Sequence, residues 1–397
     1  MLKLLVVMPC YQPAIYYGGP VSAVHEMNKA LVKSGVDVTV FTTNANGKLR
    51  LNVPLEQEVN IDGVKVFYYP LSFAGSYFYA PKLSKSLKTN LQLYDVVHIN
   101  WLYVYTTVTA AAECIRQNIP YILTPHGMLD SYSISLKGSL KKKLYIAYIE
   151  KRNIKNAHAI HYSSAGEKEE ALISRWDIDD VIVPNIIDLP SKLKSKLNEA
   201  SFYAEYPFLK DKRIVVSVGR LNYIKGLDQL LKSWNMVITV VPNAHLVIAG
   251  PDSDGYIDVL KRIVKSEGIS ASVSFIGTVI GDRKSGLLYN SNVFVSSSYL
   301  ESFGMAIVEA MAHGLPVAIT DKVNIKSEIE EAEAGLISSC EPISISNNLI
   351  YLLENKDIAN QMGLRGKALV SQNFDSVSVV RKMKEIYIAA IKSNRPS

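Results

Sequence analysis

Residues 293–320 read VFVSSSYLESFGMAIVEAMAHGLPVAIT. The runs Val293–Ser297 and Leu315–Thr320 suit strands, and the apolar stretch between them suits a helix. Strand, helix, strand is the unit of a parallel α/β sheet. Gly304 lets the backbone approach another group closely. A helix starting there would aim its unpaired N–H groups at an anion. Glu301 stands before that helix, and Glu309 stands within it among Ala306, Ile307, Ala310 and Met311. A carboxylate in such apolar company needs a partner, because an unpaired buried charge is expensive. Helical rise over the intervening residues would set the two carboxylates roughly 10 Å apart. That matches the span of a diphosphate with hydroxyl-bearing groups at each end. The bland alternative is a surface glutamate plus a locally paired core glutamate.

The same alternation extends along the chain. RIVVSVG (213–219), AHLVIAG (244–250) and SVSFIG (272–277) are further apolar runs, with helical patterns between them at 226–239 and 255–267. An earlier series has strands at 3–8, 36–43, 64–69, 95–100, 120–124, 158–162 and 181–183. Its first helix, 20–34, repeats Val21, Val24, Met27 and Leu31 at three and four. Between the two series, Pro184–Lys212 loses periodicity. The fold class is therefore α/β, with two parallel-sheet domains expected at 1–188 and 189–374. A final amphipathic helix at 375–393 carries Val377, Val380, Met383 and Tyr387 on one face. Ligands of such sheets bind beyond the carboxyl ends of the strands. Two tandem sheets thus suggest a cleft between domains.

Composition narrows the function. The 397 residues suit two or three domains, and 48% hydrophobic with 20% charged residues is an ordinary core-forming balance. A net charge of +6 suits an anionic ligand or membrane surface but falls short of a nucleic-acid footprint. Cys10, Cys114 and Cys340 are far apart with no CxxC pair, which argues against a zinc knuckle or a disulfide framework and for a reducing, cytoplasmic compartment. The opening MLKLLVVMPCYQP is too short in apolar residues for a secretory signal. His98, Asn100 and Glu113 interrupt the most apolar window, Val96–Ile115, which does not reach a membrane span.

Four further signals follow predicted strands or concern partners. GRLNYIKG (219–226) places Arg220 and Lys225 on one strand-to-helix loop, where a planar fork and a point charge can share a polyanion. Gly18-Gly19-Pro20 allows a tight turn against a ligand. Neither GxGxxG nor a GxxxxGK[ST] loop occurs, so a nicotinamide site lacks support. Thr124-Pro-His126-Gly sets a histidine at a strand end, suited to an active-site role, whereas His98, His158, His161, His245 and His313 read as structural or exposed. Asp252-Ser-Asp254 in PDSDG reads as a turn rather than a metal site. Residues 136–156 form a helical pattern with Leu136, Leu140, Leu144 and Tyr148 on one face. Lys137, Lys141, Lys142, Lys143, Lys151, Arg152 and Lys155 cluster around it. This suits either an anionic membrane surface or a solvated helix face.

Taken together, GGP, TPHG, GRLNYIKG and ESFGMAIVEAMAHGLPV closely resemble the retaining glycosyltransferases of family 4, in order and spacing over essentially the whole chain. The resemblance implies the GT-B fold: two Rossmann-like domains facing across a cleft, with the last helix crossing back onto the first domain. A nucleotide-diphosphate sugar would lie mainly on the second domain. Arg220 and Lys225 would bind its diphosphate, and Glu309 its ribose hydroxyls. Glu301 would bond the transferred sugar, helped by backbone N–H groups of Phe303, Gly304 and Met305. Thr278 and Val279 would meet the base. Gly18 and Gly19 would close the phosphate site, and His126 would contact the sugar beside the anomeric carbon. Pro20 departs from the pattern of many members and bears on the acceptor side.

The implied activity is hexose transfer, from a UDP-hexose or from GDP-mannose, to a lipid-linked or polysaccharide acceptor in cell-surface glycan synthesis. Fixed cations aimed at the departing phosphate stabilise the charge that builds there. Arg220 and Lys225 would thus replace a metal, so no metal and no cofactor is expected. Two other readings stand beside this one: a nucleotide-sugar 2-epimerase on the same scaffold, and a non-catalytic two-domain solute-binding protein.

Overall fold

The structure is a computed structural model that describes residues 1–73, 75–130, 134, 144–174, 176–187, 199–252 and 255–394. The chain divides into two compact units. The first comprises Met1–Ile186 with Ser376–Ser397, and the second is Ile187–Asp375. Leu136, Leu140, Lys137, Lys141, Lys142 and Lys143 of the basic segment, Asp254 of PDSDG, and residues 188–198 lie outside the described residues.

Among the described residues the main sheet of the first unit has eight strands, beside a short hairpin pairing Ala45–Asn46 with Leu49–Arg50: β1 (Lys3–Val7), β2 (Asp37–Thr43), β3 (Glu58–Ile61), β4 (Val64–Tyr69), β5 (Val96–Asn100), β6 (Tyr121–Thr124), β7 (Ala159–Tyr162) and β8 (Asp180–Ile182). Their spatial order is β8-β7-β6-β5-β1-β2-β4-β3. Every pairing in that sheet is parallel except the edge hairpin β3–β4. Among the described residues the second unit has six parallel strands: β9 (Arg213–Val218), β10 (Ala244–Ala249), β11 (Val273–Phe275), β12 (Val293–Ser296), β13 (Val317–Thr320) and β14 (Gly335–Ser338), in the order β11-β10-β9-β12-β13-β14. Period-two alternation sends Ile214, Val216, Val247 and Phe294 to one face, and Val215, Leu246, Ile248, Val293 and Val295 to the other. Helices cover both faces, so these strands read as continuous apolar runs. Strand order reverses beside β1 and beside β9. At such switch points neighbouring loops leave in opposite directions and open a crevice at the carboxyl ends.

The helix Ser376–Ser393 belongs to the first unit. It buries Val379, Val380, Met383, Tyr387 and Ala390. Val377, expected on that face, is instead exposed. At 3.6 residues per turn it sits roughly 110° from the centre of the stripe that Val379, Val380, Met383, Tyr387 and Ala390 form, so it faces away.

A buried polar chain fixes this helix. The Tyr387 hydroxyl donates to His98 Nδ1 at 2.7 Å, and His98 Nε2–H donates to Thr124 Oγ at 2.7 Å. The Thr124 hydroxyl donates to His161 Nδ1 at 2.9 Å, and His161 Nε2–H to the Val183 carbonyl at 2.7 Å. The fixed acceptor at Val183 sets the direction of every bond in the chain, because a neutral imidazole has one donor and one acceptor. Burial holds both imidazoles neutral: His98 is pushed well below the ordinary value and His161 down to about 4.

Tyr387→Phe strands the His98 acceptor in the core and should cost about 1–3 kcal/mol, read by urea unfolding. Depressed imidazole values also set the acid response. Below the ordinary value of about 6.5 the unfolded chain takes up protons that the folded chain refuses. Stability should therefore fall as pH drops from that value toward 4, with a shallower fall in Thr124→Val/His161→Leu if the relay is the cause.

Candidate active site

Two loops meet at the switch point of the second unit. The first follows β9 and carries Arg220 and Lys225. The second follows β12 and carries Glu301 and Gly304. They are tied by backbone: the Tyr299 N–H bonds the Ile224 carbonyl at 2.8 Å, and Ser297 Oγ–H bonds the Lys225 carbonyl at 3.0 Å. Gly226 caps the helix Leu227–Val240 with φ 58. A Cβ there would lie 2.0 Å from the Ser297 carbonyl oxygen, so only glycine lets the loops touch.

This contact brings two of the predicted residues together. Lys225 Nζ donates to Glu301 Oε2, and both side chains are partly buried. Arg220 is half-buried, and its side chain makes no hydrogen bond or ion pair among the described residues. One cation is thus held by a carboxylate and its neighbour is available to an anion.

Glu301 lies outside the helix, which runs Met305–Ala312. The helical spacing expected between Glu301 and Glu309 therefore does not apply, because residues 301–304 form a separate loop. That loop is held by Glu301 N–H to the Lys322 carbonyl at 3.0 Å and by Asn324 N–H to the Glu301 carbonyl at 2.9 Å. Gly304 precedes the helix with φ 81, and a Cβ on it would lie 2.5 Å from Ile307 Cδ1. The N–H groups of Phe303, Gly304 and Met305 have no acceptor among the described residues, as the first turn of a helix requires. The Phe303 side chain is in the core, edge-on to Phe374. Only its backbone faces any ligand chemistry.

Glu309 finds the partner that its apolar surroundings demand. Lys284 Nζ bonds Glu309 Oε1 at 2.6 Å. Sequence reading missed Lys284, which has no motif around it and comes from the helix Gly281–Tyr289. It also missed Asn324, which is buried beside Glu301 with its Nδ2 unpartnered among the described residues. Thr278 is exposed, while Val279 is buried in the core below the same helix. Asp252 accepts the Tyr256 N–H at 2.9 Å and so starts the helix Tyr256–Ser266. Among the described residues no group of three or more His, Cys, Asp or Glu is placed to hold a metal ion.

The first unit carries its predicted groups just beyond strand carboxyl ends. Gly18 caps the helix Gly19–Lys33 that follows β1. His126 follows β6 in a left-handed conformation, φ 51, and its Nε2–H donates to Asn100 Oδ1 at 2.9 Å. The Trp101 ring lies 5.8 Å from the imidazole. Burial, helped by nearby His161, lowers His126 to about 3, so it is a neutral imidazole with a bare Nδ1.

Comparison with known proteins agrees with this layout. Residues 17–190 match the family described as Glycosyltransferase Family 4, and residues 200–369 match Glycosyl transferases group 1. N-acetyl-alpha-D-glucosaminyl L-malate synthase of Bacillus anthracis is 24% identical over 399 residues, 99% of each chain. Among solved structures, sucrose-phosphate synthase of Thermosynechococcus elongatus superposes with a TM-score of 0.79 at 21% identity, covering 99% of this chain and 100% of that one. Anabaena HepE in complex with UDP and glucose gives 0.78 at 18% identity, covering 98% and 100%. These structures share the GT-B fold with the present chain. Two consecutive family matches, the strand order and the loops at its reversal converge: the chain belongs to the family 4 glycosyltransferases.

Proposed function

We propose that this glycosyltransferase moves a hexose, with retention and without a metal, from a UDP-sugar to a lipid-linked or polysaccharide acceptor in cell-surface glycan synthesis. The observation that carries the donor side is the Lys225–Glu301 contact beside unpartnered Arg220 and the open N-terminus at Gly304. The HepE complexes with UDP and glucose and with UDP-glucose support a UDP-hexose rather than GDP-mannose.

In this reading Arg220 and Lys225 take the diphosphate. Glu301, relieved of Lys225, accepts a hydroxyl of the sugar, with N–H groups of Phe303, Gly304 and Met305 beside it. Glu309 takes the ribose hydroxyls, and the backbone of Thr278 and Val279 meets the base. On the first unit Gly18, Gly19 and His126 are read as donor contacts too. A neutral His126, its Nε2–H held by Asn100, can accept a hydrogen bond from a sugar hydroxyl at Nδ1 without adding charge. As the bond from anomeric carbon to phosphate oxygen breaks, negative charge grows on the phosphate, where fixed cations act most strongly. The acceptor oxygen bonds to the anomeric carbon from the same face. Its proton passes to the departing phosphate, so the nucleoside diphosphate leaves with no covalent enzyme intermediate.

A membrane-surface partner is the second part of the proposal. Leu144 and Tyr148 are exposed, with Ile149 partly so, beside exposed Lys151, Arg152 and Lys155. Apolar side chains and one tyrosine ring among cations suit anionic headgroups. No helix among the described residues is long and apolar enough to cross a membrane. The described cysteines Cys10, Cys114 and Cys340 form no disulfide, which supports a cytoplasmic setting.

A thermal-shift panel of UDP, GDP, ADP and their sugar conjugates should give selective stabilisation by UDP and UDP-hexose, unchanged by EDTA. Selectivity for GDP, or loss of the shift in EDTA, would refute the donor base or the metal-free assignment respectively. Lys225→Ala should lower UDP release from UDP-glucose about 10²–10³-fold. Glu301→Gln should lower it too, while UDP alone binds at least as tightly because Lys225 is no longer held by a carboxylate; weaker UDP binding would contradict that exchange. Co-sedimentation should be stronger with phosphatidylglycerol vesicles than with phosphatidylcholine vesicles, and equal binding would sink the membrane assignment.

A further inference from the structure

Glu167 is fully buried, yet no cation pairs with it among the described residues. Its carboxylate serves backbone instead. Oε1 accepts the Gly127 N–H at 2.6 Å, and Oε2 accepts the Ser163 N–H at 2.8 Å and the Ser163 hydroxyl at 2.6 Å. Gly127 directly follows His126, and both residues have left-handed backbone, φ 74 and φ 51. For a histidine that conformation is strained and persists only where its surroundings enforce it. Burial pushes the carboxyl upward from its ordinary value, a cost that a purely structural position could avoid with an apolar side chain.

We propose that Glu167 is a positioning residue for His126. It clamps the turn Pro125–Gly127 to the start of the helix Ala165–Glu170, so that the imidazole keeps its bond to Asn100 and presents its bare nitrogen. The inference rests on the reading of His126 as a donor-sugar contact. The neighbouring loop is held by the same device. Glu150, also buried, accepts the Tyr103 N–H at 2.8 Å, and Trp101 and Tyr103 have φ 86 and φ 62. Two carboxylates thus brace the two strained loops beside His126.

Glu167→Gln is the direct test. Ser163 offers two donors and Gly127 one, so the glutamine oxygen should turn to Ser163 and its NH₂ should meet the Gly127 N–H. In the folded variant the His126 imidazole signals should move and begin to titrate near the ordinary imidazole value, while those of His98 and His161 stay in place. UDP affinity should remain within twofold, and kcat for UDP release from UDP-glucose should fall at least tenfold. Should Glu167→Gln fail to fold, Glu167→Asp retains the charge, withdraws it from Gly127 by one methylene, and should move the same signals. Ser164→Ala removes only the cap on Glu167 N–H, which is 3.1 Å long. It should lower the melting temperature and leave His126 unmoved. An unmoved His126 in a folded Glu167 variant, or an equal movement in Ser164→Ala, would overturn the proposal. If His126→Ala leaves turnover intact, the sugar-contact reading fails separately, and the imidazole signals still decide the clamp.

Discussion

Covering both faces of a parallel sheet leaves polar side chains little room except at strand ends. Every other feature follows from that constraint. The strands become short apolar runs, and their crossovers become helices. Charge collects where the strand order reverses and backbone N–H groups remain unpaired. In the second unit the reversal lies between β9 and β12. Arg220, Lys225, Glu301 and the N-terminus at Gly304 all occupy the two loops that leave there.

The charges at that site are arranged to be exchanged cheaply. Lys225 lies against Glu301, and Lys284 against Glu309. Both pairs retain some solvent contact, and ion pairs of that kind contribute about 0–1 kcal/mol. In the proposed donor complex a diphosphate offers Lys225 more charge than the Glu301 carboxylate does. Swapping partners there costs little, while leaving Lys225 unpaired in a half-buried site would cost more. The first unit does the opposite. Around His126 its polar groups are buried and held in place: Tyr387, His98, Thr124 and His161 form one directed chain of neutral groups, and the Glu167 and Glu150 carboxylates accept backbone N–H groups. One unit is built for adjustable electrostatics, the other for fixed geometry.

Much of this was legible in sequence. Parallel α/β alternation needs only local apolar runs, and the glycine-bearing loops declare themselves by composition. Gly226 and Gly304 stand where a side chain would strike the Ser297 carbonyl or Ile307, a constraint imposed by loop packing that sequence registers simply as glycine. What sequence did not reveal depends on long-range pairing. Lys284 reaches Glu309 from another helix, and Glu167 reaches Gly127 across forty residues. Edge strands β3 and β14 were also missed, because partial exposure dilutes their apolar pattern. His98 and His161 looked merely structural, which their burial bears out, but their directed linkage to Tyr387 has no local signature.

The first unit's discontinuity carries a consequence for synthesis. Its sheet is complete once Ile182 has emerged, yet the acceptor on His98 and the groove that takes Met383 and Tyr387 stay open until the helix Ser376–Ser393 has also emerged. The second unit is contiguous and can fold in the interval. A nascent chain can therefore finish the later-made unit before the earlier-made one, whose apolar face waits for the helix Ser376–Ser393. Domains usually fold in order of synthesis; here the order of completion is reversed.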